Sequence, residues 1–166
     1  MIGISRDLAS TLDLNVFLRR IVQVAVEFCF AEAASIFLFE QMKQGLIFQA
    51  STDIKNEEQM HYILAPKESI AGWVAVHSHP LNIEDVHQDR HFFSQVETKL
   101  DFPTSSHIAT PMIVKDKLVG VLEALNLQHG AFTDEDLECL NVLGAQAAVA
   151  IENGRLFHPK VCRTKR

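Results

Sequence analysis

The chain has 166 residues, 48% of them hydrophobic, and a formal net charge of −6. That length suits one domain with a full core, and the apolar content excludes a disordered chain. The acidic balance argues against nucleic acid or an anionic membrane as main partner. No apolar run is long enough for a bilayer span and no signal peptide opens the chain, so the expectation is a soluble cytoplasmic protein or a cytoplasmic fragment of one.

Met1 to Thr11 is a lead-in of mixed polarity compatible with helix. Asp13 is placed to cap a helix over Leu14–Phe28, with Phe17, Ile21, Val24, Ala25 and Phe28 as its apolar stripe and Leu14, Leu18 and Val22 beside it. Ala33–Glu40 reads as a buried strand, Met42–Gly45 as a turn and Leu46–Ala50 as the partner strand. A polar stretch follows, then a short strand at His61–Leu64 closed by Pro66. Ser69 caps a helix from Ile70 to about His77, which stops before Pro80. Leu81–Ile83 is a short strand. Glu84–Ser106 is long, polar and dotted with aromatics, the kind of segment that is usually functional or mobile inside a compact domain. A single domain is expected over residues 1–157, with residues 158–166 a basic, disordered tail.

The most informative stretch is His107–Glu135. Two apolar, β-branched runs flank Lys115-Asp116-Lys117, which is a hairpin signal. The second run is apolar at nearly every position, so both faces of that strand should be covered. Gly120 leaves room for a close neighbour. Pro111 cannot donate to a ladder, so a bulge or an edge-facing nitrogen is expected there. Thr133, with Asp136 three residues on, forms a capping box for the last helix.

This block, together with Glu68-Ser69-Ile70-Ala71-Gly72-Trp73-Val74-Ala75, resembles the GAF domain family over roughly Leu8–Phe157. The resembling parts are a Gly-Trp-Val-Ala helix, an Asp-containing loop, a Pro-containing strand, a Gly-Val-Leu strand and Phe-Thr-x-x-Asp opening the last helix. The fold implied is α+β and related to PAS domains. It has a central antiparallel sheet of about six strands, N- and C-terminal helices on one face, and a short helix and long loop over a pocket on the other. The role implied is a non-catalytic sensory or regulatory domain that binds a small molecule and dimerises to transmit a signal to an effector domain or partner protein. The alternatives are a small enzyme acting on a free metabolite and a ligandless dimerisation module.

Several chemistries are weighed on the residues themselves. His77, His79, His87 and His91, with Asp85 and Asp89, contain nitrogen and oxygen ligands, but Pro80 interrupts them and no second closed motif supports a metal. Ser69, Ser105 and Ser106 lack a nucleophile elbow. Cys29, Cys139 and Cys162 are odd in number and widely spaced, and write neither a disulfide framework nor a zinc motif. None of them falls in the middle loops, where relatives that reduce methionine sulfoxide or attach a bilin carry their cysteines, so a bilin is not expected. The scattered motif of cyclic-nucleotide-binding relatives is matched at Asn126, Phe132 and Asp136. Leu127 and Leu137 stand where that motif carries Lys and Glu. No cofactor is therefore expected, with a cyclic nucleotide kept as the alternative.

The helix after Thr133 is apolar almost all round between Val142 and Ile151. Its small residues Gly144, Ala145, Ala147, Ala148 and Ala150 would admit either the domain's own first helix or a second copy of the chain. A ligand is expected at the N-terminus of the helix after Ser69. There the backbone N–H groups of Ile70, Ala71 and Gly72 favour a carboxylate or phosphate. Phe92, Phe93 and Phe102 would cover an apolar or planar body, and Asp85, Arg90 and Thr110 would make polar contacts.

Overall fold

The computed structural model describes residues 2–42, 44–52, 64–65, 69–86, 105–127 and 131–157. In chain order its elements are helix α1 (Ile2–Cys29), strands β1 (Ala31–Glu40), β2 (Gly45–Ser51) and β3 (Leu64–Ala65), helix α2 (Ile70–His77), strands β4 (Leu81–Ile83), β5 (His107–Val114) and β6 (Lys117–Leu127), and helix α3 (Asp134–Phe157). The six strands form one sheet in the order β3-β2-β1-β6-β5-β4, antiparallel at every pairing. The α1 and α3 helices pack on one face, over Ile36, Ile108, Met112, Leu122 and Ala124. The α2 helix packs on the other, over Phe37, Phe48, Ala109 and Val121. The expected α+β architecture is the one observed.

The β6 strand lies between β1 and β5 and is covered on both faces, which explains its unbroken apolar run. It turns back from β5 through Lys115 and Asp116, whose φ angles of 48° and 62° are those of a primed two-residue turn. Gly120 is required by its surroundings. A Cβ there would run into the Phe37 carbonyl oxygen and lie 2.7 Å from Met112 Cε. Pro111 lies beyond Ala109, the last β5 residue paired with β4, and a register shift follows between Met112 and Ile113. A strand stretch with a single partner tolerates a residue without an N–H.

Two local expectations are corrected. The first helix does not begin at Asp13, because it runs unbroken from Ile2. No proline interrupts residues 2–13, so nothing in that segment forces a start at the aspartate. The buried stripe of α1 is also rotated from the expected one. Leu18, Ile21, Val22, Ala25 and Cys29 enter the core, whereas Phe17 and Phe28 are exposed. On α3, Leu140, Leu143, Gly144, Ala147, Ala148 and Ile151 are buried at helical spacing in the domain's own core. A Cβ on Gly144 would sit 3.1 Å from Thr110 Cγ2 of β5. Ala147 and Ala148 therefore serve packing within the chain, and the apolar residues that this helix turns outward include Val142, Ala145 and Val149.

Candidate functional site

The site face of the sheet is built by α2. Ser69 Oγ accepts a hydrogen bond from Gly72 N at 3.0 Å, and the helix ends at Ser78, which adopts the left-handed conformation and donates its N–H to Val74 O. The cap, Ile70, Ala71 and Gly72 are all buried, so the positive end of the helix dipole faces the protein interior. Gly72 N–H is taken by the cap, leaving the N–H groups of Ile70 and Ala71 without intrahelical acceptors. Beneath the helix the rings of Phe37 and Phe48 meet at 4.1 Å.

Beside this apolar patch, a strip of buried and half-buried polar side chains crosses the same face. Ser51, Ser35 and Glu123 lie directly opposite one another on β2, β1 and β6, and Ser35 Oγ donates to Ser51 Oγ at 3.1 Å. His107 on β5 completes the strip, with Nε2 2.9 Å from Glu123 Oε2. Its exposure is 6% and that of Glu123 is 5%. Acidic residues are almost never this buried unless paired, and here the pair meets across adjacent strands. The sequence carried one signal of it, a lone acid inside the otherwise apolar run Leu118–Leu125; the partner became visible only with the register of β5 on β6.

The long segment 87–104 has a defined neck. Val86 N donates to Ser105 O, and Asn126 N donates to Ser106 O. Asn126, at a φ of 52°, accepts from both Ser105 N and Ser105 Oγ and donates through Nδ2 to Glu32 Oε2 at 3.2 Å. Asparagine is among the side chains that tolerate the left-handed region. Asn126 thus has a structural task, as do Phe132, which is buried in the core, and Asp136, which accepts from Thr133 N in a capping box returned by Asp136 N to Thr133 Oγ1.

The expected site residues therefore divide. Ser69, Ile70, Ala71 and Gly72 are brought together at the buried helix start. Asp85 is exposed just after β4. Thr110 is not on this face, because its side chain packs against α3 and its hydroxyl donates to Asn141 Oδ1. The alternation of β5 sends His107 and Ala109 to one side and Ile108 and Thr110 to the other. Arg90, Phe92, Phe93 and Phe102 lie outside the described residues, as do His87, Asp89 and His91. His77 is stacked on Trp73 at 4.1 Å and holds Trp73 O through Nδ1. Among the described residues no group of three or more His, Cys, Asp or Glu is placed to hold a metal ion, and no helix is long and apolar enough to cross a membrane.

A sheet backed by its terminal helices and fronted by a short capped helix beside a buried polar strip is an α+β architecture of the GAF type. Residues 13–151 match the GAF domain family, and the chain belongs to it. It is 24% identical over 147 residues to a probable 3′,5′-cyclic phosphodiesterase of Caenorhabditis elegans, covering 83% of this chain and 20% of that protein. It is 27% identical over 163 residues to the dual 3′,5′-cyclic-AMP and -GMP phosphodiesterase 11A of Takifugu rubripes, covering 92% of this chain and 18% of that one. The chain thus spans about a fifth of these relatives' length. The GAF domain of a phosphoenolpyruvate-protein phosphotransferase from Coxiella burnetii superposes with a TM-score of 0.74 at 19% identity, covering 95% of this chain and 96% of the other.

Proposed function

We propose that this GAF domain is a non-catalytic sensory module that takes a small anionic or nucleotide-like molecule on the α2 face and transmits its binding through α1 and α3 to an effector. The observation that carries this reading is the buried start of α2 on the same sheet face as the Glu123–His107 pair. The N–H groups of Ile70 and Ala71, which have no intrahelical acceptor, favour a phosphate or carboxylate, and the polar strip offers hydrogen bonds to the rest of the molecule. The likeness to cyclic nucleotide phosphodiesterases makes 3′,5′-cyclic nucleotides the first ligands to try. The Leu127 and Leu137 substitutions in the motif keep other small anions in the screen.

The test is a thermal-shift screen of cyclic nucleotides and small anionic metabolites against the whole chain. A ligand at one hundred times its dissociation constant adds about 2.7 kcal/mol. Hits should weaken in Ala71→Asp, which brings a negative charge to the helix start, and in Glu123→Gln, which alters the strip with little change of shape. If every hit binds both folded variants as well as the parent, the pocket is elsewhere and this reading fails.

The transmitting part of the proposal is a homodimer through the terminal helices. On α3, Val142, Ala145 and Val149 repeat at the spacing of a coiled-coil seam and all three are exposed. On α1, Val16, Phe17 and Phe28 are exposed as well. A Val142→Arg, Val149→Arg chain should sediment as a folded monomer at concentrations where the parent is a dimer. A parent that is itself monomeric at high micromolar concentration ends this part of the proposal.

A further inference from the structure

The α1 and α3 helices run antiparallel, with Leu14 of α1 beside Gly154 of α3 at one end and Cys29 beside Asp136 at the other. Cys29 is the last residue of α1. Phe30 follows in the left-handed conformation and turns the chain directly into β1. The Cys29 thiol is buried, 3.8 Å from the Asp136 carbonyl oxygen. Cys139 is one helical turn beyond Asp136 on α3, packs against the same core and is partly exposed. A side chain three residues after Asp136 lies over the same turn of the helix as the Asp136 carbonyl that Cys29 meets, so both thiols face one junction. Two cysteines that share no local sequence are therefore set side by side at the junction of the two helices, one sheltered and one open to solvent.

We propose that Cys29 and Cys139 form a peroxide-oxidisable dithiol whose disulfide would staple the C-terminus of α1 to the first turns of α3. The partly exposed thiol reacts first. The Cys139 thiolate attacks one peroxide oxygen, the O–O bond breaks, and with one proton a water leaves, giving the sulfenic acid at Cys139. The Cys29 sulfur then attacks Cys139 Sγ. The S–S bond forms as the S–O bond breaks, and the thiol proton leaves with the hydroxide as a second water. Peroxide gains two electrons and the thiol pair loses them. Burial, and then the neighbouring Cys139 and Asp136, push the Cys29 thiol up to about 12, which keeps it protonated and disfavours it as the thiol that meets peroxide first. The staple would bind together the two helices assigned above to signal output, yet the oxidation itself is independent of any ligand.

The experiment treats the full chain carrying Cys162→Ser, which removes the remaining thiol, with a small excess of hydrogen peroxide and maps peptides by mass. The expected product is a Cys29–Cys139 cross-linked peptide short of two hydrogens, reversed by dithiothreitol. It should be accompanied by a reductant-sensitive rise in melting temperature on the order of 5 °C. A further Cys29→Ser change should stop oxidation at a Cys139 sulfenic acid that dimedone traps, and a Cys139→Ser change should leave Cys29 unmodified. Sulfinic acid at Cys139 without the cross-link, modification of Cys29 in the Cys139→Ser chain, or failure of both thiols to react would each overturn the proposal.

Discussion

The two faces of the sheet are built from the same strands to different rules. The face under α1 and α3 is closed by aliphatic side chains and small residues, with Ile108, Met112, Leu122, Leu140, Ala147 and Ala148 at no measurable exposure. Of its strand-borne polar side chains, Thr110 is answered by Asn141 of α3 and Gln49 by Asn15 of α1. The face under α2 holds an aromatic patch but also buries Ser35, Glu123 and His107. Burying such groups gains less than burying aliphatics of similar volume. The contrast separates a face shaped for stability from one that retains polar chemistry at some cost to it.

The largest effect should come from breaking the closed face. Ala148→Arg forces a charge into a site with no room and no partner, and should cost more than about 4 kcal/mol, enough to unfold the chain. Loss of the cooperative melting transition would show this. A variant that instead remains folded and becomes monomeric would mean that Ala148 faces another subunit, against its observed burial.

The polar face gives the next effect and sharpens the comparison. Glu123→Ala removes one partner of a buried pair and should destabilise by about 1–3 kcal/mol in chemical denaturation. Replacing both partners, as His107→Leu with Glu123→Leu, should recover most of that loss, because no polar group is then left unpaired. If the pair is kept for recognition, the double variant should be stable and yet show no thermal shift with ligands that stabilise the parent. A double variant that binds as before would return the pair to a purely structural role.

Much of this contrast could be read before the structure, and the parts that could not share a cause. Local rules sufficed for the Ser69 cap, the Thr133 capping box, the doubly covered β6 and the tight approach at Gly120, since each is decided by a few neighbouring residues. Failures arose where a second element decides. Whether Phe17 or Leu18 faces inward depends on where the sheet lies, as both fit an amphipathic stripe. Thr110 is expected to make a polar contact at the site, but strand parity turns it towards α3. The His107–Glu123 pair joins two strands through a register that neither strand specifies alone. The approach of Cys29 to Cys139 likewise requires the antiparallel docking of the terminal helices.

A smaller effect tests the closed face at its edge. Thr133→Ala leaves Asp136 N without its side-chain acceptor at the start of α3, and should cost about 1 kcal/mol without changing the α2 face. Equilibrium unfolding would measure the loss. Unaltered ligand response alongside it would show that the two faces can be perturbed separately.

The smallest effect is a pH dependence that belongs to the closed face alone. In the folded chain burial raises the Cys29 thiol from 9.0 to about 12. The unfolded thiol therefore ionises first as pH rises, and above pH 9 the unfolded state binds fewer protons than the folded one. Stability must then fall with pH, so the contribution is whole below pH 9 and is lost on the way to about pH 12. For one group that half-titrates at pH 9 only when unfolded, the loss there is at most about 0.4 kcal/mol. Cys29→Ala has its own packing cost, so the comparison is between slopes rather than absolute stabilities. Denaturation curves collected from pH 7 to 9 should fall more steeply for the parent than for Cys29→Ala. Parallel curves would mean that the thiol is hydrated in the native state and that the junction of α1 with α3 is open to water.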